Sequence, residues 1–294
     1  MASEGDTGAE ANIEEVLALV ADETRMDILR ALWDAWKAGD SPASFSALKQ
    51  QAEVSDSGRF NYHLDRLVPR FVRHTDAGYA LTHAGLRTIG DAVSGGYTAT
   101  GDTSLGPTAV ADCPDPDCPG DVEARYEDGF AVFACDTCDR PTDAVQAPPI
   151  IVEAHGTDPA AAASRFSLLT IERTVRGFCP LCDGPVESTV ARADPEYEAT
   201  IDDAVDVVHE CGTCGYARAS GAVATLIGHP AVVSLLHEAG VDYREAPHFE
   251  QTWLTEATEE VTSEEPLRVE VRTTIGGVER TFTLDRNADL LDYD

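Results

Sequence analysis

Eight cysteines carry the most specific chemistry in this chain, and all of them lie beyond residue 112. They fall into four short-spaced pairs. Cys113-Pro114-Asp115-Pro116-Asp117-Cys118 is followed, after sixteen residues, by Cys135-Asp136-Thr137-Cys138, and Cys179-Pro180-Leu181-Cys182 is followed, after twenty-eight, by Cys211-Gly212-Thr213-Cys214. Two such pairs brought together by a β-hairpin offer four thiolates to one tetrahedral ion, the arrangement of a zinc ribbon. The spacing therefore points to two structural zinc ions per chain, one on Cys113, Cys118, Cys135 and Cys138 and one on Cys179, Cys182, Cys211 and Cys214. Glycines 212 and 215 allow a tight backbone whose amide N–H groups face the metal-bound sulfur. Thiol-redox chemistry and unrelated buried cysteines are the alternatives. The first pair has four intervening residues where common ribbons have two, and is the looser match. His209 could replace a thiolate, or could be an ordinary surface histidine.

Four thiolates leave no open position for a water, so neither site reads as catalytic. The sequence contains no Walker loop, no GxSxG elbow, no HExxH and no glycine-rich loop between strand and helix. No enzyme is expected.

A second chemistry lies in Val54 to Val68. Phe60, Leu64, Leu67 and Phe71 recur at i, i+4, i+7 and i+11, so they line one face of a helix. The opposite face carries Ser55, Gly58, Arg59, Tyr62 and Arg66, flanked by Asn61 and His63, with Ser57 in the first turn. Arginine forks onto guanine or phosphate, asparagine binds adenine bidentately, and glycine lets the backbone approach a duplex. The same pattern would also suit an amphipathic helix with a merely solvated outer face.

The flanking elements favour the first reading. Phe45 to Ala52 reads as a short helix, Glu53-Val54-Ser55 as a turn with Ser55 as N-cap, and Phe71–Thr75 with Tyr79–Thr82 as a hairpin around Asp76-Ala77-Gly78. Arg70, Arg73 and His74 would meet phosphates or the minor groove. Upstream, Ile13–Ala21 and Glu23–Ala38 carry apolar residues at helical spacing, and His83–Val93 follows the hairpin. Asp22 to Leu32 resembles the second helix of ArsR-type winged-helix regulators, and Phe60-Asn61-Tyr62-His63-Leu64-Asp65-Arg66-Leu67 resembles their recognition helix. The likeness is closest to the haloarchaeal branch, where a winged helix precedes cysteine-rich segments, and it covers residues 13 to 97. It implies double-stranded DNA as partner and a homodimer made by the terminal helices. The family's metal-sensing cysteines are absent from residues 13 to 97.

Composition sets the boundaries. The chain has 294 residues, with 53 acidic against 21 basic and a net charge of −32; only Lys37 and Lys49 are lysines. Such a surface repels DNA unless positive charge is concentrated. Between Phe45 and Thr75 five basic residues face three acidic ones, a local +2. Acidic excess with scarce lysine suits a halophile, where salt screens self-repulsion; an acidic protein of ordinary cytoplasm is the alternative. No stretch is apolar enough to span a membrane, and the first twelve residues lack a signal peptide's pattern, so a cytoplasmic protein is expected.

The expected fold class is α+β and multidomain: a disordered tail (1–12), a winged helix-turn-helix (13–97), a linker (98–110), a first zinc ribbon (111–146), and a C-terminal domain (147–294). Pro141 to Pro159 reads as a second linker or extended arm leading into the last, where Ala160–Arg176 reads as a helix with Phe166, Leu169 and Arg173 on successive turns. Pro230–Gly240 reads as a helix turning Val233, Leu236 and Ala239 inward, Thr255–Pro266 as an acidic loop, and Leu267–Leu284 as a hairpin about Gly276-Gly277. Three functions are compatible: a sequence-specific transcription regulator whose zinc-stapled remainder dimerises, senses or recruits; an adaptor whose ribbons dock on transcription machinery; and a Cys-x-x-Cys redox protein.

Overall fold

The computed structural model describes residues 13–97, 105–192 and 205–294. The tail expected over 1–12 and residues 98–104 of the expected linker lie outside them. The chain divides into two compact units, Met1–Thr98 and Ala99–Asp294, with mixed helices and antiparallel sheets. Among the described residues no helix is long and apolar enough to cross a membrane.

In the first unit, helix α1 (Ile13–Val20) precedes α2 (Glu23–Ala38), whose start is fixed by Asp22 accepting from the Arg25 N–H and whose end is fixed by Gly39 at φ 81°. Helix α3 (Phe45–Gln51) and helix α4 (Ser57–Leu67) follow, then strands β1 (Val72–Thr75) and β2 (Gly78–Leu81) and helix α5 (His83–Val93). Phe60, Leu64 and Leu67 are fully buried against Ile28, Leu29, Leu32 and Leu48, as the spacing predicts. Each such side chain contributes about 1.5–3 kcal/mol of burial. The α4 N-cap is Asp56 rather than Ser55: its carboxylate accepts from the Arg59 N–H at 2.6 Å, a stronger charge-assisted cap than a hydroxyl. Ala43 adds an isolated bridge to Tyr79 beside the hairpin. That approach explains Gly78, since a Cβ there would lie 2.3 Å from the Ala43 carbonyl oxygen.

The second unit begins earlier than the composition suggests. Leu105 is buried, and Thr108–Asp112 forms strand β3, so the linker expected to residue 110 gives way to structure. The alanines of β3 carry too little apolar bulk to advertise a strand. β3 joins β4 (Asp121–Glu127), β5 (Phe130–Cys135) and β6 (Pro141–Gln146) in a meander. The arm expected from Pro141 is thus β6 followed by a short helix, α6 (Ile150–Glu153). Pro141 opens the strand, where a missing N–H is tolerated.

Helix α7 (Pro159–Val175) is the spine of this unit. Ala160 and Ala163 pack into the core of the first sheet, while Leu168 and Ile171 pack into the core formed by the rest of the unit. Its buried face is mostly alanine, serine and threonine, and Leu169, expected to mark one turn of that helix, is 63% exposed. Small residues let the helix lie close to both cores. A second sheet holds β7 (Val186–Arg192), β8 (Val205–Cys211) and β9 (Ala217–Gly221). Helix α8 (Pro230–Glu238) buries Val232 and Leu236, whereas Ala239 is exposed. After α9 (Thr252–Thr255), the acidic loop expected to Pro266 is strand β10 (Thr258–Glu264). It pairs with β11 (Leu267–Ile275), β12 (Val278–Leu284) and β13 (Leu290–Tyr293), so the terminal hairpin is the middle of a four-stranded sheet. β10 is an edge strand, and its glutamates read as loop because an edge needs few apolar residues.

Candidate metal centres and candidate nucleic-acid interface

Each cysteine set is delivered by one hairpin. Cys118 precedes β4 and Cys135 ends β5, with Val122 paired to Cys135; Cys182 precedes β7 and Cys211 ends β8, with Val186 paired to Cys211. The sulfurs of each set lie within 4.8 Å of one another, and both sets are groups that could hold a metal ion. Contacts that cross between knuckles include Cys113 to Cys138 at 3.8 Å, Cys118 to Cys135 at 3.7 Å, and Cys179 to Cys214 and Cys182 to Cys211 at 3.6 Å. A tetrahedral ion with metal–sulfur bonds of about 2.3 Å separates its ligands by roughly 3.8 Å. The donor sets therefore fit a tetrahedral cation.

Backbone N–H groups prepare the sulfurs for charge. Thr137 donates to Cys135, Leu181 to Cys179 and Gly184 to Cys182, each at 3.4 Å. The Cys135 thiol is held down to about 7, chiefly by the Cys138 N–H, and Cys211 to about 6, chiefly by the Cys214 N–H. Cys118 and Cys182 move to about 12: the N–H groups of Gly120 and Gly184 favour their thiolates, but burial and the adjoining sulfurs outweigh them. Four sulfurs at one point cannot all ionise together without a cation among them.

A model described as Domain of unknown function (DUF7351) matches residues 111–290, nearly the whole second unit. The chain belongs to the DUF7351 family. A second model, Domain of unknown function (DUF7347), matches residues 13–93, the elements from α1 to α5. No curated protein and no solved structure matches the chain.

Within the DUF7351 region the two cysteine sites are one arrangement built twice. Cys118-Pro119-Gly120-Asp121-Val122-Glu123 corresponds to Cys182-Asp183-Gly184-Pro185-Val186-Glu187, and Cys135-Asp136-Thr137-Cys138 to Cys211-Gly212-Thr213-Cys214. The Cys113 N–H donates to the Gly120 carbonyl and the Cys179 N–H to the Gly184 carbonyl, both at 2.9 Å. Gly120 faces Thr137 and Gly184 faces Thr213 so closely that an added Cβ would lie 2.5 Å and 2.7 Å from the threonine hydroxyls. These glycines and threonines are site residues that cysteine spacing alone does not reveal; the repeated C-x-G-x-V-E and C-x-T-C strings are the signal that finds them. Arg173 of α7 adds a brace, donating to the Cys179 carbonyl at 2.9 Å and to the Asp183 carboxylate. Of the two glycines expected to shape the second knuckle, Gly215 takes positive φ (76°) and Gly212 does not.

His209 is neither a ligand nor a surface residue. It is fully buried between β7 and β9, with Nδ1 2.8 Å from Ser188 Oγ and Nε2 3.0 Å from Ser220 Oγ. Burial, followed by the nearby Arg218, holds it near 4, so it is neutral with both ring nitrogens engaged.

A second buried polar group bolts the first sheet to α7 and β9. Arg218 donates to Asp143 at 2.7 Å and to Ser167 at 3.0 Å, and Ser164 Oγ lies 2.6 Å from His248 Nδ1. Asp143 lies 3.8 Å from the same His248 nitrogen. This is not a nucleophile relay: serine and carboxylate approach one ring nitrogen, Ser164 is fully buried, and its oxygen also accepts from the His248 N–H.

In the first unit, Ser55, Ser57, Gly58, Arg59, Asn61, Tyr62, Arg66, Arg70, Arg73 and His74 are all exposed. Tyr62 is 61% exposed between Arg59 and Arg66 along α4. Several are held in place. Arg59 donates to Thr24 at 3.0 Å, Lys49 donates to Ser57 at 2.7 Å, and His74 stacks on Tyr79 at 4.4 Å. Asn61 is turned along the helix to Asp65 at 2.7 Å. His63 departs from the expected face: its side chain is 12% exposed, with Nδ1 3.2 Å from the Asp22 carboxylate. Arg66, Arg70 and Arg73 have no ion-pair partner among the described residues.

Proposed function

We propose that the chain is a DNA-binding transcription regulator. In this reading residues 13–97 are a winged helix-turn-helix, α4 enters the major groove, and β1 and β2 form the wing. The observation that carries it is charge placement. A chain at −32 keeps Arg59, Arg66, Arg70 and Arg73 exposed along one short helix and the hairpin after it, with Tyr62 among them. Hydrophobic anchoring of Phe60, Leu64 and Leu67 fixes that face outward, and the Ala43–Tyr79 bridge holds the hairpin to the segment before α3. Arg59 and Arg66 are the base-reading candidates, and Arg70 and Arg73 the phosphate contacts. His63 and Asn61 serve the helix's own anchoring. The protein acts as a homodimer, in keeping with the exposed Ile13 and Leu17 on α1 and Val93 on α5.

The DUF7351 region holds two zinc ions in two ribbons. All-sulfur donor sets at tetrahedral spacing support zinc, and the convergence of four sulfurs on one point in each set suits a shared ion better than separate redox pairs. The ions supply structural cross-links; the N–H groups of Thr137, Leu181 and Gly184 offset the sulfur charge. A second reading, an adaptor on a protein assembly, draws on Phe178 and Leu181, 57% and 51% exposed at the Cys179–Cys182 knuckle.

Fluorescence anisotropy on promoter fragments in molar salt separates the two. Arg59→Ala with Arg66→Ala should weaken duplex binding by about two orders of magnitude or more, at roughly 1–3 kcal/mol for each base-reading side chain. Unchanged binding, or none by the parent chain, removes the DNA reading. Elemental analysis should return two zinc per chain.

A further inference from the structure

A cleft of about 710 Å³ opens between α1, the start of α2 and the end of α4. Three guanidinium groups line it: Arg25, Arg66 and Arg70. Ala18, Leu19, Val68 and Pro69 supply an apolar wall, and Glu15 and Asp65 are the acidic residues that line it. Three cations against two carboxylates is an unusual balance in a chain so acidic.

The cations are also poorly matched inside the protein. Arg25 spends Nη2 on the Ala18 carbonyl at 3.0 Å, and its Nε is buried without a hydrogen-bond partner. The nearest carboxylate, Asp22, stands 3.7 Å from that Nε and already takes the Arg25 N–H. Arg66 and Arg70 have no ion pair among the described residues, and Asp65 is engaged by Asn61. Arginines left without carboxylates take bidentate anions, and clefts of this size with one apolar wall suit metabolites.

We propose that this cleft binds a small organic anion, carboxylate- or phosphate-bearing, whose body lies against Leu19, Val68 and Pro69. The anion takes Arg66 and Arg70 away from the duplex, because one guanidinium cannot fork two anions at once; this second step rests on the DNA reading above. Occupancy and duplex binding then oppose each other reciprocally.

The test uses the full-length ¹⁵N-labelled chain in molar salt, titrated separately with citrate, pyrophosphate and phenylacetate while the arginine Nε–H resonances are followed. At least one probe should shift the Arg25 Nε signal saturably. Arg66→Ala with Arg70→Ala changes exposed side chains only, and should weaken that binding about tenfold or more. The effective probe should raise the apparent Kd for duplex in the parent chain. Should no probe move Arg25, or the double variant bind equally well, the site is refuted. Anion binding in a chain that binds no duplex sustains the site and removes the DNA reading instead.

Discussion

At the scale of single residues, Gly184 shows how little space separates a metal knuckle from its support. A methyl there would lie 2.7 Å from Thr213 Oγ1 and 3.1 Å from Cys182 Sγ. Gly184→Ala should therefore weaken metal at the second site by about tenfold, the effect expected when support around a ligand is disturbed. Competition with a chromogenic chelator reads this directly, and the first site should keep its ion. His248 gives a pH prediction. Burial holds it below its ordinary value, with Asp143 pulling it up and Arg218 pushing it down. The folded chain thus takes up this proton at lower pH than the unfolded chain, which binds it near pH 6.5. A lowered histidine contributes stability that is full at higher pH and declines as pH falls through the unfolded value. Urea midpoints should drop between pH 7.5 and pH 6 more steeply in the parent than in His248→Asn; equal slopes would refute this.

At the scale of elements, α4 rests on three fully buried side chains. Leu64→Ala should cost about 2–5 kcal/mol and appear as a lowered melting transition of residues 13–97 by circular dichroism. Elements with strong apolar periodicity were legible: α2, α4, α5 and β11 lie where spacing places them, because each buries one continuous face. β3, β6, β9, β10 and β13 were not. They are edge or small-residue strands whose burial depends on partners remote in sequence, and Thr258–Glu264 has one aliphatic residue, Val261, to announce itself. The cysteine sets were legible from spacing. His209 was not, because its burial is created by Ser188 and Ser220, twenty-one residues before it and eleven after. His63 departs from its expected face for a similar reason: helix geometry puts it on a flank, and only the packing of α4 on α2 shows that Asp22 receives it.

At the scale of the whole second unit, the two cysteine modules are joined through α7 and the Arg218–Asp143 pair. Both side chains are nearly buried, at 11% and 13% exposure. Removing one partner strands a buried charge, so Arg218→Ala should cost about 3–5 kcal/mol. Asp143→Ala in that background should add far less than it does alone. Calorimetry of the four chains of this cycle would show it, and strict additivity would refute the coupling.

The position of Arg218 just beyond Cys214 has a bearing on biogenesis. During synthesis the earlier module has all its sulfurs once Cys138 emerges, before α7 exists, and the later one is complete at Cys214. The residue that latches the halves arrives only after both can be loaded, so a ribosome delivers this protein with assembly steps already placed in sequence.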